Sequence, residues 1–353
     1  MNAMFRAAVF LAAVSLAAQQ TPPVSLASLT QSAESGDPGA QFELGRAYED
    51  GKGVPQDDSR AVEWFRKSAE QGNTQAENSL GVMYALGRGV PRDREEAVRW
   101  YKKAAKQGSA DGMYNVAISY FNGEGAEENT TLACIWMTAA QRKGDAQAAD
   151  ALKHIEDQIG TAVGRCKYDL AGLYEKGDEL PQDLPAALQV YTEEAQKDHK
   201  QSIFSSPAQF KLCQLYAAGK GVPQDYAQAR AWCKKSETSF SYVVLGRLAE
   251  KGLGGDKDRN EALKYYRDAA VLGVPDGIME CGRLQSESGT HEGWKNAYFW
   301  YALGVDRRFV GASEKLQQAA AQLSEKERAE QEKSFKNWLK LPINRRDAEM
   351  KKH

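Results

Sequence analysis

A period of 36 residues constrains this 353-residue chain more than any other feature. LGRAYEDGKGVPQDDSRAVEWFRKSAEQG runs from Leu44 to Gly72, and LGVMYALGRGVPRDREEAVRWYKKAAKQG from Leu80 to Gly108. The landmarks coincide: Gly45 with Gly81, Tyr48 with Tyr84, Pro55 with Pro91, Asp57 with Asp93, Trp64 with Trp100. A unit this short buries its apolar face only by stacking on a neighbour, so the chain is expected to form a helical solenoid.

The unit reads as two antiparallel helices. Ala40, Leu44 and Tyr48 fall on one face of a first helix, A, which Gly51 ends by supplying a left-handed residue. Gly53-Val54-Pro55 makes a stiff turn, since Pro fixes its own φ and extends the residue before it. Asp57 then caps a second helix, B, whose buried stripe is Ala61, Trp64 or Phe65, and Ala69. Asp93 with Glu96 and Asp258 with Glu261 match a capping box. Gly45 stands where helix A must approach helix B closely. Trp64, Trp100, Trp136, Trp232 and Trp300 occupy one equivalent site and read as packing.

A third unit keeps the register through Tyr120, Gly123, Gly125, Trp136 and Gly144 but loses the Val-Pro turn. After it, AADALKHIEDQIG (Ala148 to Gly160) resembles ASEKLQQAAAQLS (Ala312 to Ser324), and both are expected to be capping helices. The chain restarts half a period later. Its further units are headed by Leu170-Ala171, Leu212-Cys213, Leu245-Gly246 and Cys281-Gly282, with Lys200 to Pro207 read as a surface loop. The expected organisation is an N-terminal signal segment (1–18), a linker (19–32), an array of three repeats plus a cap (33–159), an array of four repeats (160–311), capping helices (312–341) and a basic tail (342–353) without regular structure. The fold class is all-α: an α/α solenoid of about seven hairpins in two stacked arrays.

Export follows from the first residues. Arg6 supplies a positive region, Ala7 to Ala17 an apolar run too short to span a bilayer, and Ser15 and Ala17 the small residues of a cleavage site. The expected location is therefore periplasmic or secreted, in a bacterium. A net charge of −2 gives no footprint for nucleic acid.

Chemistry is hard to find. The Gly-x-Gly pairs at Gly51, Gly87 and Gly219 follow helices rather than strands and lack the Lys-Ser/Thr of a P-loop. His154, His199, His291 and His353 are not spaced as metal ligands, and Ser-x-x-Lys and Gly-x-Ser-x-Gly are absent. No catalytic residue, metal ligand or cofactor is expected. Of the five cysteines, Cys134, Cys166 and Cys281 fall at stripe positions and read as small core residues. Cys213 replaces the close-approach glycine of helix A, and Cys233 the aromatic after the Trp of helix B. Gly plus a ring has become Cys plus Cys, which suits either a disulfide bracing repeat five or two buried thiols.

The pattern LGxxYxxGxGVPxDxxxAxxWxxxAAxxG resembles the Sel-one-like repeat (SLR) family, relatives of tetratricopeptide repeats, over roughly residues 33 to 311. The resemblance implies a right-handed superhelix and a non-enzymatic adaptor or scaffold with a protein or peptide partner. If helices A line the inner wall, as in related solenoids, Arg46, Glu49, Met83 and Arg247 are exposed positions for that partner. Some cysteine-rich secreted members of the family are linked to β-lactam binding or hydrolysis, so an envelope enzyme or cell-wall binder is the alternative. Those members place cysteines about eight residues apart across each junction, and this chain does not.

Overall fold

The turn between helices A and B sets the architecture, and the computed structural model, which describes residues 25–197 and 205–350, repeats it in six hairpins. Among the described residues all regular structure is helical. The helices are α1 (Leu26–Glu34), α2 (Pro38–Asp50), α3 (Asp58–Glu70), α4 (Thr74–Leu86), α5 (Arg94–Lys106), α6 (Ala110–Asn122) and α7 (Thr130–Arg142). There follow α8 (Ala148–Ile159), α9 (Val163–Lys176), α10 (Leu184–Ala195), α11 (Ser205–Ala218), α12 (Tyr226–Ser236), α13 (Ser239–Lys251) and α14 (Arg259–Val271). The chain ends with α15 (Pro275–Ser286), α16 (His291–Asp306), α17 (Ala312–Ala321), α18 (Glu325–Trp338) and α19 (Ile343–Met350). Two compact units divide it, residues 1–104 and 105–353.

The helices A of repeats one to six end on a left-handed glycine, with φ of 68° at Gly51, 72° at Gly87, 69° at Gly123 and 75° at Gly177, whereas α15 of the seventh ends on Glu287 in the right-handed region. The residue capping helix B then returns its own N–H to helix A. Asp57 donates to the Tyr48 carbonyl, Asp93 to Tyr84, Asn129 to Tyr120, Asp183 to Tyr174 and Asp225 to Tyr216, all at 2.9–3.0 Å. The same cap side chains accept from the first turn of helix B, as Asp93 does from the Glu96 N–H at 2.9 Å. This double use explains why the capping-box pairs differ from expectation. The cap N–H that Glu96 would accept is committed to Tyr84, and Glu96 pairs with Arg99 at 2.7 Å instead. A complete box forms at Ser324 and Glu327.

The close-approach glycines are sterically required. A Cβ on Gly81 would stand 2.6 Å from the Tyr101 ring, and one on Gly45 2.7 Å from Phe65. The Trp column grades from fully buried Trp300 to half-buried Trp64 and Trp232, whose rings carry Lys67 and Lys235 on their faces. In repeat five the Gly–ring pair is replaced by a disulfide between Cys213 and Cys233.

Several expectations are corrected. Cys134 and Cys166 are not free core thiols: they form a second disulfide, joining α7 to α9. They lie 32 residues apart, on helices that only the irregular junction makes neighbours, so the 36-residue register could not pair them. The expected linker already becomes helical at Leu26, because Ser25 caps α1 by accepting from Ser28 N–H. The expected irregular tail forms α19, with Met350 buried and the Trp338 indole N–H donating to the Arg346 carbonyl at 3.4 Å. Of the expected loop, Ser205 to Pro207 open α11, with both serines buried, and residues 200–204 lie outside the described residues. The signal segment also lies outside them.

The junction after repeat three is the largest irregularity. α8 and α9 both pack on α7. Ala148 and Leu152 of α8 keep helix A register and are buried, yet no helix B follows. A 3-10 turn, Gly160–Ala162, leads straight into α9, itself a helix A paired with α10. The expected cap therefore does not end the stack, which continues through α9. At the C-terminus α17 packs on α16 through Leu316 and Ala319, and α18 brings Phe335 and Trp338 against Phe299.

Candidate functional site

The residue after the close-approach position of each helix A is Arg46, Val82, Ile118, Gln214, Arg247 or Arg283; in repeat four it is Gly172. A Cβ at Gly172 would meet only the Tyr191 hydroxyl, at 3.8 Å. The missing side chain opens a cavity of about 490 Å³. Leu132 and Ile135 of α7 and Leu173 of α9 supply its apolar wall, and Tyr168 and Tyr191 its aromatic one. The two rings meet edge to face at 5.4 Å.

Charge gathers on one side. Glu175, its side chain only 12% exposed, binds Lys211 at 2.7 Å and Lys220 at 2.9 Å. The Tyr191 hydroxyl donates to the same carboxylate at 3.4 Å. Burial raises the Glu175 pKa, but the hydrogen bonds and charges of the two lysines outweigh it, and the carboxyl lies below its ordinary value. Burial, then the Glu175 charge, pushes the Tyr191 phenol up; burial does the same for Tyr168. Asp169 is paired with Arg165 at 2.7 Å, and Lys176 stands exposed at the edge.

Both disulfides hold helices that supply this cavity. Cys134 sits between Leu132 and Ile135 on α7 and is bonded to Cys166, two residues before Tyr168 on α9. Lys211 lies two residues before Cys213, through which α11 is bonded to α12. The walls are therefore pre-organised.

The tyrosines are made poorer acids by burial, and burial pushes the remaining thiol, Cys281, well above its ordinary value, which keeps it un-ionised. Among the described residues no cluster of three or more His, Cys, Asp or Glu could hold a metal ion.

The positions expected to meet a partner are scattered. Arg46 is half exposed and faces Asp50 at 3.7 Å. Glu49 is bound by Arg88 at 3.0 Å, and Arg88 also grips Asp58 at 2.7 Å, so Glu49 belongs to a structural cluster between repeats one and two. Met83 is fully buried, in the core with Leu80 and Trp100, and cannot contact a partner. It shares the stripe of Leu80 because three residues turn a helix through nearly a full circle. Arg247 is half exposed and pairs with Asp276 at 2.9 Å. None of the four lines the repeat-four cavity. What sequence reasoning missed was Gly172 with Tyr191, Glu175 and Lys211. The signal was in the repeat alignment, as one column where six repeats carry a side chain and repeat four carries none.

The Sel1 repeat family model matches residues 38–73, 74–109, 110–145, 165–189, 206–237 and 239–274, more than half of the chain. The seventh hairpin, α15 with α16, lies beyond the match but packs in the same way. Among solved structures, the chain is similar to a protective antigen of uropathogenic Escherichia coli strains displaying an SLR fold. The identity is 30% and the TM-score 0.42, covering 86% of this chain and 61% of that one. The chain thus spans less than two thirds of the antigen's length. It is also similar to a Sel1 repeat protein from Oxalobacter formigenes, at 27% identity and a TM-score of 0.31, covering 69% of this chain and 87% of that one. No curated protein matches the chain.

Proposed function

The chain belongs to the Sel1 repeat family, and on that premise we propose that it is an exported, non-enzymatic scaffold that holds a protein partner on its solenoid surface. The observation that carries the reading is the repeat-four cavity: apolar and aromatic walls, a rim of paired charges, and no activated acid, base or nucleophile among the residues that line it. Export is supported by two disulfides, which persist in oxidising compartments, and by the order of charged, apolar and small residues at the N-terminus. Sel1 repeats typically mediate protein–protein interaction, and a stacked array offers an extended surface for it.

The test is a pulldown from periplasmic extract with folded, oxidised bait. Specific capture of a protein that a heat-unfolded bait does not retain is the expected result. Failure of the folded bait to retain any protein, under chemical crosslinking as well, would contradict the scaffold reading. Export is tested apart from binding: the mature chain recovered from the native host should begin just after Ala17 or Ala18 and contain a single reducible-agent-independent thiol, Cys281.

A further inference from the structure

We propose that the cavity over Gly172 is a peptide site: it seats one apolar side chain of an extended partner segment and holds a neighbouring carboxylate of that segment against Lys176 and Lys211. The proposal rests on the scaffold reading and says which part of the surface does the work and what the partner presents to it.

Three observations carry it. The first is shape. Residues 168–176 of α9, which line the cavity at both ends, advance about 12 Å along the helix axis, the length of about four extended residues. In repeats two and three the matching position is filled from within, by Val82 and Ile118, each half-buried. An apolar side chain from outside would occupy in repeat four the place that Val82 and Ile118 occupy in theirs. The second is polarity. Leu132, Ile135, Leu173 and the Tyr168 ring face that place, so an apolar group is desolvated there without stranding a polar one.

The third is charge. The cavity and its immediate ion-pair partners hold four cations, Arg165, Lys176, Lys211 and Lys220, against two carboxylates, Asp169 and Glu175. Glu175 is already bound on both oxygens, so a cationic ligand would have to displace a lysine. An anionic one meets a surplus of positive charge. Among the described residues Lys176 makes no ion pair within 4.0 Å, and it stands at the exposed edge, next to the place an apolar side chain would enter. The partner segment is therefore apolar and acidic together. The disulfides at Cys134–Cys166 and Cys213–Cys233 fix the walls before binding, which lowers the ordering cost of a small site.

The experiment is selection of random linear 12-residue peptides displayed on phage against the full, oxidised chain. Titration of the synthesised consensus peptide then follows, with wild type, Gly172→Val and Lys211→Gln. Gly172→Val gives repeat four the side chain that repeat two carries at Val82, and its Cβ meets nothing closer than 3.8 Å, so it takes up space on the cavity floor with room for its first atom. The expected consensus places Leu, Ile, Phe or Trp within two residues of Asp or Glu. Gly172→Val should weaken the consensus peptide by about tenfold or more at an unchanged melting temperature, the effect of losing one buried anchor. Lys211→Gln should weaken it by about threefold and flatten its salt dependence. A consensus without acidic residues, no enrichment at all, or binding indifferent to Gly172→Val overturns the proposal. So does displacement of the peptide by N-acetyl-leucine and N-acetyl-glutamate at equal affinity, which would assign the cavity to small carboxylates. Peptide binding that ignores Gly172→Val leaves the scaffold reading standing with its site elsewhere; the pulldown judges that reading by itself.

Discussion

Repeats two and four share one plan and use it differently. In repeat two, Gly81 lets Tyr101 lie on the backbone of α4, Val82 fills the next position, and Ala85 ends the same face without charge. In repeat four, Ala171 and Gly172 stand at the first two places, Tyr191 turns its hydroxyl to Glu175, and Glu175 draws in Lys211 and Lys220 from repeat five. Every landmark of repeat two is accounted for by folding. Repeat four keeps the Tyr174 carbonyl bond to the Asp183 N–H, the Asp183 cap and the left-handed Gly177, so its hairpin forms equally well. What it lacks is one side chain. The contrast teaches that in a stacked array the shared residues hold the fold, and a single vacancy in the shared pattern is enough to make a site.

The comparison can be broken or sharpened by mutation, starting with the largest effect. Replacing both Cys134 and Cys166 with Ala removes the bond that ties α7 to α9, and should cost about 3–4 kcal/mol of stability for a loop of this length. Chemical denaturation of the oxidised protein would show it, and the same change should abolish consensus-peptide binding while sparing hydrogen-exchange protection in α2 to α4. Gly81→Ala comes next. Its Cβ would strike the Tyr101 ring at 2.6 Å and crowd the Ala97 carbonyl at 3.2 Å, for an expected loss of about 1–3 kcal/mol with peptide binding unchanged. Asp93→Ala removes a cap that accepts from the Glu96 N–H, at a cost of about 1 kcal/mol measured as a lower denaturation midpoint. The smallest effect on stability is that of Gly172→Val, within a few tenths of a kcal/mol of zero because Val is no worse a helix former than Gly. A large loss there would mean that Gly172 is needed for packing and that the contrast between the repeats is mistaken.

Most of the fold was legible because its rules are local and repeated. Gly51, Pro55 and Asp57 act within a few residues of themselves, and a 36-residue period aligns their copies. The reading failed where the outcome depended on which helices become neighbours. Met83 reads as exposed when its repeat position is taken from a related wall, and as buried when its spacing of three from Leu80 is used instead. Cys134 and Cys166 were separated by the restart at Gly160, and only the packing of α9 on α7 brings them together. Cys213 and Cys233 were readable as a pair because they occupy two positions that every regular hairpin already brings into contact. The cleft itself was written as an absence, Gly172 in a column of larger residues, and absences carry no motif.

The central claim is that regular repeats hold the fold while repeat four does the binding. Hydrogen-exchange mass spectrometry on the full oxidised chain, with and without saturating consensus peptide, tests it most directly. The account predicts new protection confined to α7, α9, α10 and the first half of α11, with α2 to α4 unchanged. Protection that appears instead in α2 to α4, or equally in every repeat, would contradict it.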